Sequence, residues 1–136
     1  MASVLKEVTV DAPAAQCWAA LRDFSRLHER LAKGFVTNVT MVGEREREIT
    51  FASGAVAREL LVGLDDESMR LSYTVVDGPL GSSHHNASGQ IVPVDAGRCR
   101  FVWITDVLPD ELAARTSALM DGGLAAIKTT LEAPAR

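Results

Sequence analysis

The stretch AVARELLVGLDDESMRLSYTVVD, from Ala55 to Asp77, contains two alternating segments joined by a turn. One segment spans Ala55–Leu64, the other spans Met69–Asp77, and Asp65-Asp66-Glu67 lies between them. A period of two is typical of strands that bury one face, and a connection this short forces the two strands to run antiparallel. The stretch therefore predicts a β-hairpin.

The same alternation assigns the two faces of this hairpin. Polar residues at positions 70, 72 and 74 of the second strand face outward, so Leu71, Tyr73 and Val75 face inward. In the first strand Arg58 and Glu59 are neighbours and must take opposite faces. Because an Arg is costly to place against an apolar interior, we expect Arg58 outward and Glu59 inward.

An inward Glu59 needs an explanation because burying an isolated carboxylate is prohibitive. Its side chain has to be hydrated, paired or protonated. A plain alternative is a hydrated, structural Glu near the end of a strand. The functional alternative is a single acid that points into a binding cavity.

Further strands flank the hairpin. The segment SVLKEVTV alternates and predicts a first strand that ends near Asp11. Short turns separate the other candidate strands, which are Phe35–Val42, Glu46–Ala52, His84–Val94 and Arg98–Val107. Together they predict an antiparallel meander of six strands after the first one.

Helical periodicity occurs at two places. Pro13 is suited to a first helical position, and the spacing of the apolar residues from Ala14 to Leu21 predicts one apolar face. A second short helix is expected around Ser25–Ala32. After Pro109, the stretch DELAARTSALMDGGLAAIKTTLEA predicts a helix of about six turns.

Gly122 and Gly123 lie in the middle of this last helix. Each should cost about 1 kcal/mol relative to Ala, so something must offset the loss. A slight bend or a close contact with the sheet is one explanation. The alternative is that Gly123 leaves room for a bound molecule.

The order of elements predicts an α+β fold. A seven-stranded, antiparallel, curved sheet wraps around the long C-terminal helix, and two short helices follow the first strand. Such a sheet leaves space in front of the helix that side chains do not fill, which suits a small-molecule pocket. In the last strand, alternation turns Cys99, Phe101, Trp103 and Thr105 toward that space.

His84 and His85 are adjacent and point to opposite faces if the strand begins there. At most one of them enters the pocket, so they cannot form one metal or catalytic pair. The spacings HxH, HxxxH and HExxH are absent, and we expect neither a metal nor a cofactor.

Composition narrows the class of protein. A chain of 136 residues is enough for one domain, over 1–136, and a formal charge of −4 without a cluster of Lys and Arg disfavours a nucleic-acid partner. No apolar run reaches the roughly 20 residues of a spanning helix, and Lys6 and Glu7 interrupt the N-terminus where a signal peptide would be apolar. We expect a soluble, cytoplasmic protein without membrane insertion, in which Cys17 and Cys99 are reduced, half-buried thiols.

The stretch RELLVGLDDESMRLSYTVVDGPL, from Arg58 to Leu80, resembles the START-like (SRPBCC) superfamily. It is similar to the polyketide cyclase/dehydrase-like proteins, to the plant abscisic-acid receptors and to helix-grip proteins of the pollen-allergen type. The shared features are an inward Glu, a Leu-Asp-Asp-Glu turn and a following strand with a Ser-aromatic pair. The resemblance in element order covers nearly the whole chain.

This resemblance implies a helix-grip fold with an internal cavity for a largely apolar ligand. By position, Glu59 matches the acid that faces the ligand, Tyr73 an aromatic wall residue and His85 a position where Tyr is usual. The resemblance places further wall positions at Phe51, Phe101, Leu119 and Gly123, and we include Leu61 and Trp103 as candidate ligand contacts.

The chain departs from the plant receptors in three places. Ser53-Gly54 resembles the start of their gate loop, but Ala55-Val56 replaces Leu-Pro. Pro79-Leu80-Gly81 stands where they have a His-Arg-Leu latch, and no Lys or Arg occurs between Phe35 and Gly43 to anchor a ligand carboxylate. We therefore expect neither hormone-type gating nor an acidic ligand.

Two functions fit this sequence best. The first is binding or carriage of a small apolar molecule, such as a lipid, a polyketide or an aromatic compound. The second is a polyketide aromatase/cyclase-type enzyme, in which Glu59 is the general base and His85 or Tyr73 donates the proton.

A third function is protein interaction through the outer face of the sheet. Apolar residues there could form a patch, at Val62, Leu64, Val102 and Ile104. We expect a monomer or a weak homodimer.

Overall fold

Seven strands and three α-helices make up the computed structural model, which describes residues 2–134. The strands are β1 (Ala2–Val10), β2 (Val36–Met41), β3 (Glu46–Phe51), β4 (Val56–Asp65), β5 (Arg70–Asp77), β6 (His84–Asp95) and β7 (Arg98–Leu108). The helices are α1 (Ala14–Arg22), α2 (Leu27–Arg30) and α3 (Ala113–Glu132), with short 3₁₀ turns at Phe24–Arg26 and Asp110–Leu112.

All seven strands form one antiparallel sheet in the order β1-β7-β6-β5-β4-β3-β2. From β2 to β7 each strand pairs with the next one along the chain, as the short turns predict. Strand β1 pairs with β7 and forms one edge of the sheet. The curved sheet packs against the long helix α3. This is the helix-grip arrangement expected from the order of elements.

The second short helix differs from its prediction. Instead of one helix over Ser25–Ala32, a 3₁₀ turn at Phe24–Arg26 precedes the four-residue helix α2. The backbone of Arg26, at φ −122° and ψ 32°, leaves the α region and separates the two pieces. Pro13 is the extended residue immediately before α1 rather than its first helical residue.

One end of the interior is solidly packed. Val10 and Ile91 are almost completely buried, and so are both thiols, since Cys17 and Cys99 are 0% exposed rather than half-buried. The Cys17 side chain, on α1, is hydrogen-bonded to Cys99, on β7, and burial together with this contact raises the pKa of Cys17 to about 12. These thiols are therefore protonated core residues.

The predicted apolar patch on the outer face of the sheet is split. Val62 is 59% exposed on β4, but Leu64 pairs with the inward Leu71 beyond the bulge between Leu61 and Gly63, so Leu64 lies on the inner face instead of the expected outer one. Val102 and Ile104 lie on β7, and strands β5 and β6 run between β4 and β7, so these two side chains stand about 14 Å from Val62 at the usual strand spacing. The four side chains do not form one continuous surface.

No helix within residues 2–134 has both the length and the apolar character that crossing a membrane requires.

Candidate ligand-binding site

A cavity of about 90 Å³ lies between the sheet, the short helices and α3. Its wall is mainly aliphatic and aromatic, with contributions from Leu21 of α1, Ile49 of β3 and Met120 of α3. Strands β4 to β7 also contribute wall residues, on the same sheet as Ile49. The composition is that of a small-molecule pocket, an apolar wall with a few polar groups.

Most of the predicted site residues lie on this wall. The structure places there Phe51, Glu59, Tyr73, His85, Phe101, Trp103, Leu119 and Gly123. Leu61 does not line the cavity. It lies next to a bulge between Leu61 and Gly63, nearer the β4–β5 turn, and packs there as a partly buried member of the core.

Glu59 is buried at 6% exposure and is paired, which is one of the three states open to an inward carboxylate. Arg47, which is also 6% exposed, donates from Nε to Glu59 Oε1 at 2.9 Å and lies 2.7 Å from the same oxygen through its second terminal nitrogen. Glu59 is therefore not a single free acid. Its charge is balanced inside the wall of the cavity.

The Arg47 guanidinium contacts a carbonyl oxygen and an aromatic ring in addition to the Glu59 carboxylate. Its Nη1 donates to the Phe24 carbonyl at 2.9 Å, and its central carbon lies 3.7 Å from the centre of the Phe24 ring. Tyr73 is the next aromatic neighbour, at 5.9 Å. Strands β3 and β4 are thus tied to the 3₁₀ turn by one side chain that makes charge-assisted hydrogen bonds and a cation–π contact.

Arg47 is the site residue that we did not predict from the sequence. A signal for it exists, because period-2 alternation puts Arg47 on the same face as Ile49 and Phe51. The deciding fact is the strand register, which sets Arg47 directly opposite Glu59. Local alternation assigns a face, but it does not identify the partner on the next strand.

Tyr73 and His85 are the neutral polar groups of the wall that we predicted. Burial raises the pKa of Tyr73 above its usual range, and the nearby Glu59 carboxylate raises it further. Burial lowers the pKa of His85, and the neighbouring His84 adds to that effect. Near pH 7 the wall therefore presents a phenol and an uncharged imidazole.

The two adjacent histidines separate as alternation predicts. His85 lines the cavity, whereas His84 is not part of the wall. Across residues 2–134, no three or more His, Cys, Asp or Glu side chains are grouped as metal ligands would be.

Gly122 and Gly123 make room for aromatic side chains of the protein itself. A Cβ at Gly123 would lie 2.8 Å from Cζ3 of Trp103, and a Cβ at Gly122 would lie 3.1 Å from Cε1 of Phe35. The close-contact explanation therefore holds. The volume that Gly123 leaves free is taken by Trp103, and a bound molecule would meet the ring of Trp103 at this point.

A surface groove of about 480 Å³ opens next to the cavity. The two share five lining residues, which are Phe35, Phe51, Pro79, Leu80 and Leu119. The β3–β4 turn, the β5–β6 loop and the first half of α3 frame this groove, and Gly54 provides the positive φ of +89° that the turn needs. The groove is therefore the mouth of the cavity.

A family comparison agrees with this geometry. Residues 1–132 match the sequence model of the family described as polyketide cyclase/dehydrase and lipid transport. The chain belongs to this family. A search of curated proteins gives no significant match.

Solved structures show the same START-like fold. A solution NMR structure from Thermobifida fusca is 31% identical, with a TM-score of 0.77 over 94% of this chain and 91% of the other. Norcoclaurine synthase from Thalictrum flavum, in complex with dopamine and hydroxybenzaldehyde, is 18% identical, with a TM-score of 0.72 over 96% and 84% of the two chains. A START superfamily protein from Mycobacterium smegmatis is 15% identical, with a TM-score of 0.74 over 96% and 97%.

The family and the fold together indicate a protein of the type that binds small ligands. Among START-like proteins the fold alone does not separate carriers from enzymes, since one fold hosts many functions. The chemistry of the wall has to make that distinction.

Proposed function

We propose that this protein binds or carries a small, largely apolar and uncharged molecule as a single ligand-binding domain. The observation that carries the proposal is the cavity itself, enclosed between the sheet and α3 and continuous with an open groove. The inner space of about 90 Å³ is smaller than a typical site of roughly 300 to 1,000 Å³, so a lipid, polyketide or aromatic ligand would extend into the mouth.

The preference for an uncharged ligand follows from the ion pairs in the wall. Its charged residues are Asp23, Arg47 and Glu59, and each is already paired: Asp23 with Arg30 at 2.9 Å, and Arg47 with Glu59. Inside the cavity, a ligand carboxylate or ammonium would have to break the buried Arg47–Glu59 pair or the partly exposed Asp23–Arg30 pair to find a partner, and Arg115 lines only the mouth. Breaking such a pair is far more costly than filling an apolar space.

The proposal is tested by isothermal titration calorimetry with 2-naphthol, an uncharged aromatic probe, and with 2-naphthoate as its anionic counterpart. We expect the protein to bind 2-naphthol at least tenfold more tightly than 2-naphthoate. Absence of binding by either probe, together with native mass spectra that show no co-purified apolar compound, would contradict the proposal.

A pair of variants locates the binding in the cavity. Leu119 lines both the cavity and its mouth, so Leu119→Trp should obstruct the passage and weaken 2-naphthol binding at least tenfold. Val62 is an exposed residue of β4 that lines neither space, so Val62→Trp should leave the affinity unchanged. Equal affinities for the two variants would place the probe elsewhere on the protein.

An enzymatic function of the aromatase/cyclase type is the second candidate, and Tyr73 and His85 on one wall favour it. The ion pair disfavours Glu59 as the general base, since its Oε1 already accepts from two nitrogens of Arg47. The neutral imidazole of His85 is the better base in this cavity. Turnover of a polyketide-like ketone that is lost in His85→Gln while binding persists would support this candidate over a pure carrier.

We further propose a cytoplasmic location and a monomeric or weakly dimeric state. Two reduced thiols in contact inside the core suit a reducing compartment. The split outer patch offers little surface for a stable dimer. Sedimentation velocity at micromolar concentration measures the oligomeric state.

A further inference from the structure

Two buried threonines in the cavity wall have hydroxyl groups without a partner. Thr105 lies on β7 and Thr116 in the first turns of α3, and each is 1% exposed. Both residues line the cavity. Within residues 2–134, neither Oγ1 has a hydrogen-bond partner.

Other threonines show what a satisfied hydroxyl does in this fold. Thr130, on the same helix as Thr116, donates back to the Ala126 carbonyl at 2.7 Å, and Thr74 of β5 donates to the His85 carbonyl at 3.2 Å. Thr116 makes no such bond to its own helix. An unsatisfied buried hydroxyl costs about 1 to 3 kcal/mol, whereas Val would fill the same space without that cost. Packing alone therefore does not explain why Thr rather than Val occupies these two positions.

The surroundings of the two hydroxyls indicate what they could bind. Their nearest lining neighbours along the chain are apolar, Trp103 beside Thr105 on β7, and Leu119 and Met120 after Thr116 on α3. The charged groups of the wall already have partners, Asp23 in Arg30 and Arg47 in Glu59. A hydroxyl both donates and accepts, so it suits a neutral oxygen, either a ketone or an alcohol.

We propose that Thr105 and Thr116 form a polar subsite that hydrogen-bonds an uncharged oxygen of the ligand. The subsite draws one hydroxyl from the sheet and one from the helix, so it fixes the orientation of a molecule held otherwise by apolar contacts. The ligand class is thereby narrowed to apolar molecules that carry a ketone or hydroxyl group at the buried end. This inference rests on the proposed binding function.

The test compares 2-naphthol with 2-methylnaphthalene, which has a methyl group in place of the hydroxyl. The measured quantity is the ratio of the two dissociation constants, methyl compound over hydroxyl compound, by calorimetry with the protein as titrant. Thr105→Val and Thr116→Val should each lower this ratio about fivefold to tenfold, because each removes one hydrogen bond. Thr105→Ser and Thr116→Ser keep the hydroxyl and should keep the ratio within about twofold of the unmodified protein.

Thr9→Val is the matched control, since Thr9 is an exposed residue of β1 outside the cavity. It should leave the ratio unchanged. The melting temperature without probe is a second measurement: it should stay constant or rise in Thr105→Val and Thr116→Val, because a polar group without a partner leaves the core. A structural hydrogen bond at either position would lower it instead.

The outcomes separate the two proposals. If the unmodified protein binds both probes and the Val variants leave the ratio unchanged, the subsite is wrong and the binding function stands. If the unmodified protein binds neither probe and its native mass spectra show no co-purified apolar compound, the binding function fails and the subsite fails with it.

Discussion

The two ends of the interior differ although the same sheet and helices enclose both. At the packed end, Val10, Cys17, Ile91 and Cys99 are at most 1% exposed, and none of them lines the cavity. At the hollow end, an ion pair, a phenol, an imidazole and two hydroxyls lie around unfilled space. The packed end is an ordinary hydrophobic core that stabilises the fold. The hollow end lowers the stability of the fold through buried polar groups and unfilled space, and only a bound molecule or a fixed charge pair offsets that loss.

The largest effect should come from breaking the charge pair at the hollow end. Arg47→Met leaves Glu59 buried without its partner, and the free energy of unfolding should fall by about 3 to 5 kcal/mol. The double variant Arg47→Met/Glu59→Leu should recover most of this loss, because no charge then remains unpaired. Urea denaturation measures both. A loss below about 1 kcal/mol in the single variant would mean that the Glu59 carboxylate reaches water.

A slightly smaller loss of stability should follow a change at the packed end. Ile91 is 1% exposed, and Ile91→Ala should lower the free energy of unfolding by roughly 2 to 5 kcal/mol through lost burial and a new void. The affinity for 2-naphthol should stay within about twofold. A loss of affinity as large as that of Leu119→Trp would show that the two ends are coupled.

The close contact between Gly123 and Trp103, in the wall of the hollow end, is also open to a test. In Gly123→Ala the new Cβ would lie 2.8 Å from Trp103, so this ring has to move. We expect overpacking to cost about 1 to 3 kcal/mol, partly offset by the gain of about 1 kcal/mol that Ala brings in a helix, together with a shift in tryptophan fluorescence. Gly43→Ala is the matched control, because a Cβ at Gly43 meets nothing within 4 Å. A gain of about 1 kcal/mol in Gly123→Ala with unchanged tryptophan fluorescence would contradict the close contact.

The smallest expected effect is the pH dependence of stability at His85. Burial lowers its pKa in the folded protein, so the unfolded chain binds the proton more readily. Stability is therefore fully present above the unfolded pKa of about 6.5 and is lost as the pH falls from there toward 5. His85→Gln should flatten this part of the profile, measured by urea denaturation between pH 7 and 5. Identical slopes in the variant and the unmodified protein would rule out the desolvated imidazole.

Much of the fold could be predicted because alternation is a local property. Strand β6 was expected over His84–Val94 and is observed over His84–Asp95. The expected inward residues of β5 and β7 line the cavity except Cys99, which lies at the packed end instead. The break at Arg26 was not predicted, since it depends on a single backbone conformation inside an otherwise helical pattern. Short elements contain too few residues for their periodicity to show where a helix begins, ends or breaks.

The site was harder to predict because its chemistry depends on pairs from separate strands. The sequence placed Glu59 inward, but Arg47 became its partner only through the β3–β4 register. The sequence also left open whether Gly123 made room for a bound molecule or for the sheet. In the structure the ring of Trp103, a residue of the sheet, occupies this room. The size of the cavity depends on how all side chains fill the space, which no single segment specifies.

The glycine pair of α3 also limits where this chain tolerates insertions. One extra residue in α3 before Gly122 would turn both glycines about 100° around the helix axis. A larger side chain would then face the ring of Phe35, while Gly122 would take the place of Gly123 beside Trp103. The segment from Pro109 to Gly122 is thus a spacer of fixed length, and we expect changes in helix length to be accepted only beyond Gly123.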